Sequence, residues 1–367
     1  MVRYPKELAQ ALRYSGVHQT AWGTDVQVKP IPDEPRPGRL DPRNLADALE
    51  REKNPKPTVP PDQQTLEQRR ARMGFPGWNL NTVAIWTKYE EHVWNGNLVK
   101  IWIYYPRLPE HKQGRPGLIY LHGGGWIGGS PYDVEAACRL IAERANAVVF
   151  NIDYSLAPEK KFPNGLLDCW EAICYLHQNA EKWGVDPDKI GVGGDSAGGN
   201  LAAVCALKDR DLHTGYLHYC VLMYPVVTLD TAGTKGYHWS LDQYEICDEQ
   251  RKYIEPSLHI GRPDDSGEKN MDVGTLYLEP GEDPMQPYVS PMFAKDYRGV
   301  CKTLIVTAEY DGLRLQDEFY AKLLREDGVE VRVLRYKGMH HGFIEETGYV
   351  PQAEDLCQEI ADDLLEL

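Results

Sequence analysis

The chain has 367 residues and sets 40 Lys and Arg against 55 Asp and Glu, a formal charge of −15 at pH 7. A chain of this length buries a large core and holds either one big domain with an accessory region, the reading favoured here, or two ordinary domains. Its acidic excess repels polyanions, which excludes nucleic acid and anionic membrane surfaces as partners.

The opening MVRYPKELAQALRY lacks the apolar run of a secretory signal. Nowhere do the roughly 18 consecutive apolar residues of a spanning helix occur, so a cytoplasmic protein without membrane contact is expected. Residues 1–80 are rich in proline and charge, with helix-like pieces at KELAQALRY, NLADALEREK and QQTLEQRRARM. Proline runs separate these pieces, which predicts short helices on connecting loops. Tyr14, Trp22 and the stretch Met73–Trp78 offer apolar groups for docking, so residues 1–80 are read as an N-terminal helical cap and 81–367 as the main domain.

From Asn81 the pattern changes. TVAIWTKY and LVKIWIYY flank Asn95-Gly96-Asn97, a hairpin signal. The runs GLIYLH, AVVFNIDY, KIGVGG, YCVLMYPVV, KTLIVTAEYD and VEVRVLRY then alternate with helical segments beginning near Pro131, Asn164, Ala197, Leu313 and Gln352. Buried strands separated by helices predict an α/β fold with a mostly parallel central sheet covered on both faces. Residues 228–289 break the rhythm with no comparable strand and read as an insertion that adds to the cap. The eight cysteines lie mostly in apolar stretches and lack C-x-x-C spacing, so they read as reduced core residues, with no disulfide framework and no metal site.

Two glycine clusters follow strands. Gly123 to Gly128 fits G-x-G-x-x-G, with Asp153 closing the next apolar run. A dinucleotide loop would put the helix directly behind it, whereas Ser130-Pro131, a good N-cap and first helical pair, starts the helix two residues late. His122 before the loop also has no place in that motif. The same glycines suit an oxyanion loop, in which fixed backbone N–H groups meet the negative charge that forms when an ester carbonyl is attacked.

The second cluster, GVGGDSAGGN, places Ser196 where a strand turns into a helix, in a G-x-S-x-G arrangement that makes a serine stand clear of the chain. A serine nucleophile needs an imidazole to take its proton and a carboxylate to orient that imidazole. Asp311 ends KTLIVTAEYD, and His340 and His341 lie in the loop after the next strand, giving the order Ser, Asp, His.

HGGGW (122–126), DYSLAPEKKFP (153–163), GDSAGG (194–199), YPVV (224–227), TAEYDGLR (307–314) and YKGMHHGF (336–343) together resemble the hormone-sensitive-lipase-like (bacterial family IV) branch of α/β-hydrolase esterases. The resemblance implies the α/β-hydrolase fold with a helical cap, and a small-molecule ester as substrate. Ser196 would be the nucleophile, Asp311 the orienting acid and His341, which precedes Gly342-Phe343, the general base. It further implies an oxyanion hole from the N–H groups of Gly124, Gly125 and Ala197, substrate contacts at Trp126 and Asp195, no metal and no cofactor. The family's D-P-L-x-D-E-G appears here as Asp311-Gly-Leu-Arg-Leu-Gln-Asp317, which alters the surroundings of the acid. The expected reaction is hydrolysis of short-chain, acetyl-like esters through an acyl-enzyme, by a serine carboxylesterase. The aromatics Trp22, Trp78, Tyr237, Trp239 and Tyr244 either stack on a ring-bearing alcohol or hold the cap to the core. An unpaired sheet edge would be the place for a homodimer.

Overall fold

The computed structural model describes residues 2–55, 59, 63–106, 114–230, 236–259 and 273–367. In chain order, the N-terminal region forms α1 (Lys6–Arg13), β1 (Val17–Ala21), β2 (Thr24–Lys29), α2 (Pro42–Lys53) and α3 (Leu66–Arg70). The hairpin β3 (Ile85–Trp94) and β4 (Asn97–Pro106) follows, then β5 (Arg115–Leu121), α4 (Glu135–Arg144) and β6 (Val148–Asp153). Next come α5 (Asn164–Gln178), α6 (Ala180–Trp183), β7 (Val185–Asp195), α7 (Ala197–Leu212) and β8 (Tyr219–Met223). Among its described residues the insertion holds only short helices, α8 (Arg251–Ile254) and α9 (Val273–Tyr277) among them, before β9 (Lys302–Tyr310), α10 (Arg314–Glu326), β10 (Val331–His340) and α11 (Pro351–Leu365).

The strands form one ten-stranded sheet in the order β1-β2-β10-β9-β8-β7-β5-β6-β4-β3. All six apolar runs became its parallel centre, β5 to β10. Side chains alternate across each strand: Ile305 of β9 joins the core under α5, α7 and α10, while Leu304 and Val306 join the core under α4 and α11. Because both faces are covered, most positions of these strands are apolar and they read as near-continuous runs, except that β10 sets half-buried Arg332, Arg335 and Lys337 among its buried residues. The β3–β4 turn is the expected one, with Trp94 opposite Asn97 and both Asn95 (φ 51) and Gly96 (φ 78) left-handed. The helix after β5 begins at Glu135, with Val134 and not Ser130 as its cap. Ser130 Oγ instead bonds Asp133 Oδ2 at 3.1 Å.

The N-terminal region contains the three expected helices and one element that was not expected. Residues 17–29 form a hairpin that turns at Trp22 (φ 54) and Gly23 (φ 80), and β2 pairs in parallel with β10. Tyr14, expected to dock, is 91% exposed. What fixes the hairpin is Lys29, which is fully buried and reaches Glu359 at 2.7 Å, Asp355 at 3.1 Å and the Leu12 carbonyl at 3.0 Å. This one ammonium joins β2, α1 and α11. Lys29→Met strips buried Asp355 of its cation and leaves Glu359 only Arg332, at 2.6 Å, and is expected to lower unfolding free energy by about 3–5 kcal/mol. The denaturant midpoint measures it, and an unchanged midpoint would mean that apolar packing alone holds the hairpin.

Candidate active site

Ser196 occupies the single residue between β7 and α7, at φ 55 and ψ −119. Such a conformation costs an L-residue on the order of 1–3 kcal/mol and persists only where its surroundings hold it. Here Ser196 N–H donates to the Met223 carbonyl at 2.9 Å, and its carbonyl accepts from Asn200 N–H at 3.0 Å. The glycines explain themselves by contact: a Cβ on Gly198 would lie 2.0 Å from the Leu121 carbonyl oxygen at the end of β5. The bend is therefore possible only where the following helix turn has no side chain.

The loop after β10 brings His341 to this serine. His341 Nε2 lies 2.8 Å from Ser196 Oγ, and Nδ1 lies 2.7 Å from Asp311 Oδ2. Asp311 is fully buried at the end of β9; its Oδ1 accepts from Leu313 N–H and its carbonyl from the Tyr244 hydroxyl, both at 2.9 Å. A carboxylate only accepts, so the proton sits on Nδ1 and the Nε2 lone pair faces the serine. Burial pulls the imidazole pKa down, but the Asp311 charge and hydrogen bond outweigh it and hold His341 above the ordinary value. The buried Tyr224 ring packs edge-on beneath it, centroids 5.0 Å apart.

His340 turns away. Its Nδ1 lies 2.9 Å from the His341 carbonyl and its Nε2 3.3 Å from Glu346. Against the cost of burial, Glu346 lifts it to about 9. The third nearby histidine, His122, is pushed down to about 4 by burial, stacks on Tyr154 and holds its Nδ1 2.7 Å from the Gly123 carbonyl.

Gly124 (φ 117), Gly125 (φ 61) and Trp126 (φ 60) form a tight loop in which the Gly124 carbonyl accepts from the N–H groups of Ile127 and Gly128. A Cβ on Gly124 would stand 2.1 Å from the Gly128 carbonyl oxygen. Among the described residues, no intramolecular acceptor takes the N–H of Gly124, Gly125 or Ala197. Ala197 is the first residue of α7, where an N–H has no partner within the helix.

Asp195 corrects an expectation. It is 1% exposed and does not contact the cavity; its Oδ1 accepts from the Tyr120 hydroxyl and from Gly123 N–H, both at 3.1 Å. Strand alternation turns Asp195 inward next to the outward serine, so it braces the glycine loop from behind. Burial holds its carboxyl above the ordinary range.

Ser196, Gly125 and Trp126 open onto a cavity of about 630 Å3, walled by Val226, Leu229, Leu278 and Leu313, with Lys161, Glu279 and Glu282 as its charged groups. From the N-terminal region, Arg70 of α3 bonds the Ala157 carbonyl at 3.0 Å and Glu159 at 2.6 Å, beside the glycine loop. None of the five cap aromatics lines the cavity. Trp22 packs on Phe319 at 5.2 Å, Trp78 on Tyr349 at 5.9 Å and Trp239 on Tyr244 at 5.7 Å. Residues 231–235 and 260–272 of the insertion lie outside the described residues.

Residues 118–345 match the family described as the alpha/beta hydrolase fold. The chain belongs to that family. An arylesterase of Saccharolobus solfataricus is 37% identical over 234 residues, 64% of this chain and 70% of that one. The carboxylesterase NlhH of Mycobacterium tuberculosis is 32% identical over 260 residues, 70% of this chain and 75% of that one. The solved hyperthermophilic esterase of Pyrobaculum calidifontis superposes with a TM-score of 0.71 at 28% identity, covering 89% of this chain and 98% of its own. This α/β-hydrolase is a carboxylic ester hydrolase of the hormone-sensitive-lipase-like branch. No helix among its described residues is long and apolar enough to cross a membrane.

Proposed function

We propose that the chain is a serine carboxylesterase that cleaves short-chain acyl esters, using Ser196 as nucleophile, His341 as general base and Asp311 to orient it. The observation that carries this reading is the unbroken line Asp311 Oδ2, His341 Nδ1, His341 Nε2, Ser196 Oγ, with steps of 2.7 and 2.8 Å, ending in the cavity. His341 takes the serine proton as Oγ attacks the ester carbonyl, and returns it to the departing alcohol; water repeats the cycle on the acyl-enzyme. The N–H groups of Gly124, Gly125 and Ala197 receive the oxyanion, each worth about 3–4 kcal/mol to the transition state.

The size of the acyl group follows from the walls. A cavity of about 630 Å3 lies within the usual range for a small molecule and must hold both halves of the ester. The side chains of Glu279 and Glu282 are exposed, and an alkyl chain of a dozen carbons would run out past these carboxylates into water. β1 and β2 belong to the sheet, and the cap is formed by α3, which bears on the glycine loop, together with the described part of 228–289, which supplies the far wall. The arylesterase relative adds a ring-bearing alcohol as the leaving group to be tried first. Nitrophenyl esters of two to twelve acyl carbons test the reading: kcat/KM is expected to peak among the shortest chains. A peak at ten or twelve carbons overturns the short-chain assignment and leaves the triad standing.

A further inference from the structure

We propose that Tyr277, on α9 of the insertion, is a positioning residue for the oxyanion loop, holding the Gly124 and Gly125 N–H groups on aim through the Trp126 indole. The inference rests on the oxyanion assignment above and extends it to a residue that no motif contains.

Trp126 follows the two glycines and sits at φ 60, a left-handed conformation that a bulky side chain adopts only under constraint. Asp195 holds the start of the loop through Gly123 N–H, but Gly124 and Gly125 have no side chains to be gripped. Trp126 is the first residue after them able to anchor the loop. Its carbonyl accepts from Ala157 N–H at 2.8 Å. Its indole lies flat on the Tyr277 ring, centroids 4.4 Å apart and planes within 10°. Both rings are only 2% exposed. If the indole swings free, the Trp126 backbone relaxes out of the left-handed region, and the peptides of Gly124 and Gly125 turn with it.

Tyr277 is itself clamped. Its carbonyl accepts from Phe162 N–H at 2.9 Å, the Phe162 ring stands edge-on to it at 5.8 Å, and Lys161 Nζ donates to the Leu278 carbonyl at 2.9 Å. The DYSLAPEKKFP loop thus holds α9 against the glycine loop. The Tyr277 hydroxyl is buried and has no hydrogen-bond partner among the described residues. The ring therefore does the positioning, and phenylalanine should replace tyrosine without loss.

The test separates aiming from lining. Tyr277→Ala is expected to lower kcat for a two-carbon nitrophenyl ester about 10- to 100-fold, less than the full loss of a donor. KM should stay near the parent value, and Tyr277→Phe should restore kcat. A trifluoromethyl ketone, whose hemiketal on serine carries the same oxyanion, should weaken by the factor that kcat loses. A raised KM and altered acyl-chain preference with kcat unchanged would make Tyr277 a mere wall and overturn the proposal. If Tyr277→Ala does not fold, Tyr277→Leu keeps the bulk without the flat ring and is expected to show the same split. The parent reading fails separately: a wild-type enzyme that forms no adduct at Ser196 with the ketone refutes the nucleophile first, and the proposal with it.

Discussion

Ser196→Ala is expected to lower kcat for ester hydrolysis about a millionfold, the scale on which an isolated serine nucleophile is lost from such a triad. Only the hydroxyl goes, because alanine meets the same backbone requirement at φ 55 and the same contacts with Met223 and Asn200. The melting temperature should hardly move. A residual acceleration over water of about 10^3- to 10^4-fold should survive, since the unused N–H groups of the glycine loop still attract the oxyanion of a bound ester. A fluorophosphonate that labels the parent should not label the variant. Turnover well above that residual, from material free of the parent enzyme, would place the nucleophile elsewhere. No second serine in this site has an imidazole at hydrogen-bond distance among the described residues.

Much of this was legible because the chemistry is short-range in sequence at each of its points. A serine at the tip of a strand must be followed by glycines when the neighbouring strand passes behind it, and Gly198 against Leu121 is that requirement written in composition. Parallel strands buried on both faces have little polar alternation to disguise them, so β5, β6, β8 and β9 stood out. The β1–β2 hairpin did not. The burial pattern of β1 is almost entirely exposed, and the place of β2 is decided by β10 and by Glu359, some 300 residues away along the chain. The direction of Asp195 is hidden for a related reason: the motif fixes its type, but only the strand geometry reveals that it faces Gly123 and not the cavity. Tyr224 and Tyr277 act through rings that meet His341 and Trp126 only after folding, and nothing in YPVV or in LYLEP announces the contact.

Asp311→Asn tests the remaining link, and its expected cost is about 10^4-fold in kcat near neutral pH. The amide can turn its NH2 toward His341 Nδ1, which then accepts, so the ring proton moves to Nε2 and confronts the serine hydroxyl with a donor. The shape of the site stays; the base is the wrong tautomer. The pH profile gives an independent reading. His341 works only when neutral, and its pKa lies above the ordinary value of about 6.5 because Asp311 outweighs burial. The acid limb of the parent kcat/KM should therefore fall above that value, with activity lost as pH drops through it. In Asp311→Asn the largest upward influence is removed and the downward pull of burial remains, leaving Asp195 as the lesser upward one against His340. The acid limb should move to lower pH even as the plateau collapses. A variant whose limb stays where the parent's lies would show that another group sets it, and Asp195, close behind the serine and itself perturbed by burial, would be the one to substitute next.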